Sequence, residues 1–181
     1  MRTLAFCDPG LDRVSVAVFR FNTGPRQLWD LAPMQIKLEA LAGVHAIKTS
    51  PREALADRLL AIGRGVHKIL VSEKAERFYV EIPRTAGNYA RHVQAGHAAG
   101  DQHGKFQADM QLTHYATGAI ICAAGTVLPG AVFLEKAAAG KKSHRLETVR
   151  QLLKSIGRRE EVRNADDLDA IAVALNATWP R

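Results

Sequence analysis

The start of the chain contains the pattern that most restricts how it can fold. Leu4–Cys7 is a short apolar run that stops at Asp8-Pro9-Gly10, a combination typical of turns. Val14–Phe19 then alternates and is rich in β-branched residues, as in a strand with a buried face. These residues predict a β-hairpin, with Asp8 at the end of its first strand.

The rest of the chain alternates between strand-like and helix-like patterns. A third strand could come from Gln27–Leu31 and Met34–Leu38, and further strands are predicted at Arg77–Ile82 and Ala131–Glu135. The predicted helices, in chain order, are 51–62, 106–124, 143–156 and 165–177. Strands that alternate with helices predict an α/β fold with a mixed central β-sheet flanked by helices.

Two local signals add detail to this outline. Ser50-Pro51-Arg52-Glu53 has the form of a capping box with proline at the first helical position, and it predicts the start of the first helix. Residues 84–104 are rich in Gly, Ala, His, Asn and Arg without a clear period, which predicts a long, partly mobile loop. No segment has the composition of a linker, so a single domain over residues 1–181 is expected.

The charge balance restricts the partner. The chain has 25 Lys and Arg against 18 Asp and Glu, a formal charge of +7, which favours a polyanion such as nucleic acid. No stretch is apolar enough to cross a bilayer, and the N-terminal apolar run is too short for a signal peptide. Cys7 and Cys122 do not make a disulfide framework; they suit a reducing cytoplasm, and both are expected in the core.

Acidic residues stand at the ends of several apolar elements. Asp8 follows the first strand, Glu81 ends a later one, and the pair Asp166 and Asp169 opens the last helix. Because elements of one sheet can bring their ends together, these carboxylates are expected to converge, and like charges tolerate this only with cations between them. Such oxygen ligands suit Mg²⁺ or Mn²⁺, and two ions about 4 Å apart can promote phosphodiester hydrolysis.

Helical spacing separates the acids of the last helix. Asp166 and Asp169 are three residues apart and share one side of the helix, whereas Asp167 is turned away by about 100°. This spacing favours the first and third of these acids as ligands. A structural explanation also stays open, in which the acids complement the helix dipole and Asn164 or Asp166 is the N-cap.

The other two acids have structural alternatives of their own. Asp8 can belong to an ordinary Asp-Pro-Gly turn, and Glu81 can be a sheet-edge acid beside Arg84. It is their occurrence together, in this order and at these element ends, that favours a metal site.

Several motifs resemble the RuvC-type Holliday-junction resolvases. Phe6–Gly10 followed by Val14–Val18 resembles the opening strand and hairpin of that family. Asp166–Ala174 is similar to its ending, in which two acids three residues apart precede an alanine-rich helix. The intervening segments that resemble the family are Val80-Glu81, His114–Ile121, Lys142-Ser143 and Val149–Lys154.

The resemblance implies an RNase H-like fold and a homodimer that introduces paired nicks into four-way DNA junctions during recombination and repair. It implies two Mg²⁺ ions, or Mn²⁺ in their place, in each active site. The metal ligands carried over from the family are Asp8, Glu81, Asp166 and Asp169. Lys142 corresponds to a basic residue near the scissile phosphate, although Lys141 or Lys136 could serve instead, and all three could lie in a solvated turn.

Two departures from the family concern the DNA contacts. The stretch between Glu81 and the central helix is longer here, and in the family this region carries an aromatic side chain that helps to open the junction. Tyr89 is the candidate, with Phe106 behind it, because bases stack on aromatic rings; a plain loop tyrosine is the alternative. The connection between Val132 and Lys142 is shorter, which leaves the roles of the individual lysines open. The insertion and the shortening together could indicate a phage or otherwise divergent branch. The expected DNA contacts are Arg84, Tyr89, Arg91, Lys105, Lys141 and Lys142.

Other functions fit the same residues. One is an RNase H-like nuclease that acts on flaps, replication forks or RNA·DNA hybrids, since the fold alone does not choose the substrate. Another is a nucleic-acid-binding module that has lost catalysis, which a missing acid would indicate, but all four acids are present. Actin-like sugar kinases also begin with a strand, an Asp and a Gly-containing hairpin, but they need two such domains and a much longer chain.

Overall fold

The structure is a computed structural model that describes residues 2–21, 34–82, 101–136, 142–158, 162 and 164–177, with the backbone alone for 35, 36, 101–110 and 136. The strands are β1 (Arg2–Asp8), β2 (Arg13–Phe21), β3 (Leu41–Lys48), β4 (Arg77–Ile82) and β5 (Val132–Lys136). The helices are α1 (Met34–Glu39), α2 (Leu55–Ser72), α3 (Asp101–Val127), α4 (Lys142–Ser155) and α5 (Ala165–Asn176). None of the helices in this part of the chain has the length and apolar character needed to span a membrane.

The strands form one five-stranded sheet in the order β3-β2-β1-β4-β5. The pairs β1–β2 and β2–β3 are antiparallel, whereas β1–β4 and β4–β5 are parallel. The sheet is therefore mixed, as the alternation of strands and helices predicted. Because β1 and β4 are parallel neighbours, both end at the same edge of the sheet.

Two apolar cores cover the two faces of the sheet. Side chains alternate between faces along a strand, so Leu4 and Phe6 of β1 lie in one core and Ala5 and Cys7 in the other. The first core is closed by α1, α4 and α5, and the second by α2 and α3. Asp8 continues the alternation of Leu4 and Phe6, which places it on the side that α5 covers.

The predicted hairpin is confirmed. Asp8 pairs with Ser15 at the end where the two strands are joined. Gly10 is needed in the connecting turn, because a Cβ there would lie 2.5 Å from the carbonyl oxygen of Arg13. The Thr49 hydroxyl donates a hydrogen bond of 2.5 Å to the carbonyl oxygen of Leu11, which fixes the turn to the segment that follows β3.

The prediction of a strand at Met34–Leu38 is wrong, because these residues form the short helix α1. Met34, Ile36 and Leu38 alternate as in a strand, but so short a pattern also fits part of a helix. The third strand of the sheet is β3, directly after α1, and it pairs with β2. The other candidate segment, Gln27–Leu31, lies outside the described residues.

The first long helix, α2, begins later and ends later than predicted. The bonds of the capping box do form, since the Ser50 N–H donates to Glu53 Oε2 at 3.1 Å and the Arg52 N–H to Ser50 Oγ at 3.2 Å. They stabilise a turn, however, and Ala54 is extended, so the helix starts at Leu55. It then continues to Ser72 through Gly63 and Gly65.

These two glycines do not end the helix, and Gly65 permits its close packing on the sheet. A Cβ at Gly65 would lie 2.7 Å from the side chain of Ile47 on β3. A Cβ at Gly63 would lie 3.6 Å from that of Ala123 on α3. At Gly65 the helix therefore approaches the sheet more closely than a larger residue would permit, whereas the distance at Gly63 is that of an ordinary van der Waals contact.

The remaining elements are close to the predictions, with one correction. Residues 101–104, which were predicted to belong to the long loop, form the start of α3, and 84–100 lie outside the described residues. Cys7 is buried as expected, whereas Cys122 is exposed on α3, so its expected place in the core is wrong. The bounds of β4, β5, α4 and α5 differ from the predicted ones by at most one residue at each end.

Candidate metal centre

Asp8 and Glu81 meet at the edge of the sheet where β1 and β4 end. Cys7 pairs with Val80 in the parallel register, so the next residue of each strand emerges at the same level. Both acids lie on the face covered by α5, because each follows an aromatic residue of that face by two positions: Phe6 before Asp8 and Tyr79 before Glu81. The sheet therefore brings together two carboxylates that are far apart in sequence.

A row of stacked aromatic rings lies beneath these acids. The ring centroids of Phe6 and Tyr79 are 4.7 Å apart, and those of Tyr79 and Phe133 are 5.3 Å apart. This row is the apolar end of the first core, so the carboxylates stand where the core stops. Placing charges next to so much apolar surface reduces their solvation.

Asp169 is brought to the same place by α5. Asn164 caps this helix, since its side chain accepts a hydrogen bond of 2.9 Å from the Asp166 N–H. The buried stripe of α5, which includes Leu168 and Ile171, packs into the first core. This packing turns Asp169 toward the sheet. Carboxylate oxygens of Asp8, Glu81 and Asp169 all lie within 4.8 Å of one another. The structure thus places these three predicted ligands together.

The environment of Asp8 is unfavourable for its charged form. Loss of solvent contributes most to raising its pKa well above the ordinary aspartate value, and the negative charges of Asp169 and Glu81 raise it further. The positive charge of Lys142 opposes these effects without cancelling them. A bound cation would remove this penalty, because it offsets both the burial and the repulsion.

Lys142, the first residue of α4, reaches into the cluster. Its Nζ lies 2.8 Å from Asp169 Oδ2 and 3.8 Å from Asp166 Oδ1. Burial disfavours the ammonium, but the hydrogen bond to Asp169 and the charges of the neighbouring carboxylates outweigh it and raise the pKa of Lys142. The side chain is about half exposed, at 51%, so the ammonium contacts the acids and solvent at once.

Asp166, the fourth predicted ligand, lies at the rim of the cluster. It does not belong to the group of carboxylates whose oxygens lie within 4.8 Å of one another, yet its negative charge also raises the pKa of Asp8. Its side chain is 39% exposed, compared with 4% for Asp169. A role of Asp166 as a metal ligand therefore stays a prediction.

Asp167 faces away from the cluster, in the direction that helical spacing predicted. Arg13 Nη2 donates to both of its carboxylate oxygens at 2.8 Å, and the Ser15 hydroxyl donates to Oδ1 at 2.6 Å. We call Arg13, Ser15 and Asp167 the Arg13 network. We call Asp8, Glu81, Asp169 and Lys142 the acidic site. The first turn of α5 thus contributes to both regions.

Most of the predicted DNA contacts lie where the structure gives no side chain. Arg84, Tyr89, Arg91 and Lys141 are outside the described residues, and Lys105 is in α3, where only the backbone is described. Lys142 is the contact whose side chain is placed, at the acidic site. The alternative lysine Lys136 ends β5, and its side chain is not described either.

Two residues of this region were missed by the sequence reasoning. Arg145 Nη2 donates to Asp169 Oδ1 at 3.1 Å, so Arg145 and Lys142 hold the two oxygens of that carboxylate. Glu135 pairs with Glu81 across the parallel strands and follows Phe133 on the same face, and burial raises its pKa. Its position at the end of a predicted strand was a usable signal, whereas nothing in the sequence distinguished Arg145.

Comparisons with known proteins agree with this architecture. No protein-family model and no curated protein matches the chain, but solved structures do. Thermus thermophilus RuvC in complex with a Holliday junction substrate matches 96% of this chain and 90% of its own, with 20% identity and a TM-score of 0.62. A second Thermus thermophilus RuvC structure matches 96% and 91%, with 21% identity and a TM-score of 0.60.

A viral protein is also similar. The fowlpox virus Holliday junction resolvase matches 95% of this chain and 93% of its own, with 8% identity and a TM-score of 0.51. At such low identities a likeness establishes the fold, and it does so here over nearly the whole chain. The chain therefore has the RNase H-like fold of the RuvC resolvases, as the motifs at its two ends predicted.

Proposed function

We propose that this chain is a metal-dependent, structure-specific endodeoxyribonuclease that nicks four-way DNA junctions by phosphodiester hydrolysis, in recombination and repair. The observation that carries the proposal is the convergence of Asp8, Glu81 and Asp169 within 4.8 Å. The shared fold supports the choice of substrate, because one of the similar structures holds a Holliday junction. The formal charge of +7 also suits a DNA partner.

The acidic site fits hard divalent cations such as Mg²⁺, with Mn²⁺ as a substitute. Its donors are carboxylate oxygens, and the cysteine nearest to it, Cys7, points into the opposite core with a pKa raised by burial. We propose two ions, held by Asp8, Glu81 and Asp169 together with Asp166. Bound there, they would supply an activated water and stabilisation of the leaving oxygen.

The chain's own residues would bind and orient the DNA. The Lys142 ammonium is protonated, half exposed and next to the carboxylates, which is a suitable position for binding a phosphate that enters the site. We further propose that Tyr89 stacks on a base at the junction and that further basic residues bind the phosphate backbone of the DNA. Those further backbone contacts are Arg84, Arg91, Lys105 and Lys141.

We propose a homodimer, because paired nicks in one junction need two active sites. The part of the chain that the structure describes contains a single carboxylate group of this kind, so a second copy would supply the second site. Each copy would be one domain. Residues 84–100, the part of the predicted loop that precedes α3, would contribute to the DNA contacts. A cytoplasmic location, where such DNA and reduced cysteines occur, belongs to the same proposal.

A nicking assay tests the proposal. The protein is incubated with a mobile four-way junction in Mg²⁺, Mn²⁺ or EDTA, and with a replication fork and an RNA·DNA hybrid in parallel. We expect nicking of the junction with either metal and none with EDTA. Preferential cleavage of the fork or the hybrid would instead support a nuclease with another target.

The matched variants are Asp8→Asn and Asp57→Asn. Both remove one aspartate charge, but Asp57 is exposed on α2 and outside the acidic site. We expect Asp8→Asn to lose cleavage and to keep junction binding, and Asp57→Asn to nick like the unmodified protein. Undiminished nicking by Asp8→Asn, or nicking that is insensitive to EDTA, would refute the proposed chemistry.

A further inference from the structure

We infer that the Arg13 network is a positioning device, which sets the separation of the Asp8 and Asp169 carboxylates for metal binding. The inference rests on the proposed function of the acidic site. It concerns three residues that do not belong to the carboxylate group: Arg13 and Ser15 on β2 and Asp167 on α5.

Ser15 connects the strand of Asp8 to the helix of Asp169. It is fully buried and pairs with Asp8 in the antiparallel register of β1 and β2. Its hydroxyl donates to Asp167 Oδ1 at 2.6 Å, and Asp167 precedes Asp169 by two residues. A single hydrogen bond therefore joins the residue opposite Asp8 to the turn that presents Asp169.

Arg13 holds the same carboxylate from the same face of β2. Its Nη2 lies 2.8 Å from both oxygens of Asp167, and the two side chains are each only 16% exposed. Hydrogen bonds between ionised groups are roughly twice as strong as neutral ones. The start of β2 and the first turn of α5 are thus joined by directional, charge-assisted contacts.

Such a restraint matters because Asp169 approaches other carboxylates at the acidic site, and the two cations that contact it, Lys142 and Arg145, belong to α4 and do not join α5 to the sheet. Asp8, Glu81 and Asp169 have carboxylate oxygens within 4.8 Å of one another, so like charges converge where α5 meets the sheet. The apolar stripe of α5 holds the helix on the sheet, but apolar contacts are not directional. The Arg13 network, on the other side of the same turn, opposes the repulsion without adding net charge.

The geometry also argues that Asp167 itself is not a ligand. Helical spacing turns it about 100° from Asp166, and both of its oxygens already accept hydrogen bonds. It therefore acts through Asp169, which it helps to place.

Metal affinity, measured without DNA, tests the inference independently of nicking. The variants are Ser15→Ala and Arg13→Lys, which preserve the charge of the region, and Ser15→Thr, which keeps the hydroxyl. Isothermal titration with Mn²⁺ should show affinity weakened roughly 10-fold by each of the first two, the lower end of what outer-shell partners contribute. Their combination should weaken it less than the product of the two, and Ser15→Thr should bind like the unmodified protein.

Glu73→Gln is the structural control. Glu73 contacts Arg20 and lies 3.1 Å from His45, and none of these three residues belongs to the acidic site or to the Arg13 network. We expect it to change the melting temperature while Mn²⁺ affinity stays the same. An equal loss of affinity in this control would overturn the inference, since general destabilisation would then explain it.

The other outcomes are also distinguishable. Unchanged Mn²⁺ affinity in Ser15→Ala and Arg13→Lys overturns the inference, as does an unmodified protein that binds no Mn²⁺. Loss of binding in Asp167→Asn alone, with the other two variants unaffected, would make Asp167 a ligand and overturn its positioning role. Mn²⁺ binding that depends on the network, in a protein that nicks no junction, would refute the proposed function and leave the inference standing.

Discussion

The first turn of α5 joins two regions with opposite electrostatics. On one side, Asp169 enters the acidic site, where burial and like charges raise the pKa of Asp8. On the other side, Asp167 meets the guanidinium of Arg13 and the hydroxyl of Ser15, so that each group has a partner of suitable charge or polarity. Both acids are ion-paired, Asp167 with Arg13 and Asp169 with Lys142 and Arg145, but Asp169 also lies within 4.8 Å of the carboxylates of Asp8 and Glu81.

This difference in surroundings distinguishes Asp167, which stabilises the fold, from Asp8, whose charge does not. A buried ion pair with good geometry can offset much of its desolvation, whereas repelling buried carboxylates lower stability until a cation binds. We therefore expect the two regions to respond to the same Asp→Asn change in opposite ways. At Asp8 it should remove activity and spare the fold, and at Asp167 in the Arg13 network it should weaken the fold.

The largest effect should come from Asp8→Asn. Loss of this proposed metal ligand should reduce junction nicking by roughly three orders of magnitude, which corresponds to about 4 kcal/mol of transition-state stabilisation. The metal-free variant should melt at the same temperature as the unmodified protein or higher, because a repelling charge is gone. Single-turnover nicking and calorimetry measure the two quantities. A clear drop in melting temperature would contradict the contrast between the regions.

The pH dependence of stability should reveal the same repulsion. The pKa of Asp8 in the folded protein is raised, so its protonation stabilises the fold at low pH, and this contribution disappears as pH rises through that pKa. The free energy of unfolding of the metal-free protein should therefore fall above the ordinary aspartate range, by at most about 1.4 kcal/mol per pH unit for one proton.

Urea denaturation at a series of pH values, with and without Mg²⁺, measures this dependence. Asp8→Asn should flatten the fall, and Mg²⁺ should reverse it at neutral pH, because the cation binds the ionised carboxylates of the folded state. A metal-free protein that becomes steadily more stable from pH 4 to pH 8, with Asp8→Asn behaving identically, would show that Asp8 carries no such penalty.

Asp167→Asn should lower the stability of the fold, with an effect smaller than the loss of nicking in Asp8→Asn. The variant leaves the largely buried Arg13 opposite a neutral amide and loses charge-assisted hydrogen bonds, which should cost about 1–2 kcal/mol. For a chain of this size the melting temperature should fall by about 2–8 °C. A melting temperature that rises, as it can for Asp8→Asn, would mean that Asp167 also experiences net repulsion and that the two regions are not distinct.

How far the sequence could predict this molecule depends on the range of the interactions involved. The hairpin, β4 and α5 follow from local apolar periodicity, and the acids at their ends could be placed because parallel strands end at one edge. The alternation that begins at Met34 is too short to distinguish a strand from a helix, and it led to the prediction of a strand where α1 lies. Local patterns identify long elements and leave short ones ambiguous.

The electrostatic partners could not be predicted in the same way. Arg13 and Asp167 are 154 positions apart, and their contact exists only because α5 packs across β1 and β2. Helical spacing did predict that Asp167 faces away from the acidic site, but it could not say what it would meet there. Arg145 is a similar case, since its contact with Asp169 depends on how α4 packs against α5.

The smallest effect should come from Asn164→Ala, which acts on the helix that joins the two regions. The side chain caps α5 through the Asp166 N–H at 2.9 Å and is exposed, so its loss should cost about 1 kcal/mol. If the Arg13 network and the apolar stripe fix the first turn, Mn²⁺ affinity should change less than twofold, because Asp169 stays in place. Titration with Mn²⁺ and a thermal melt of the same sample test this. A large loss of affinity with a small loss of stability would show that the cap positions Asp169 and that the Arg13 network does not fix the first turn by itself.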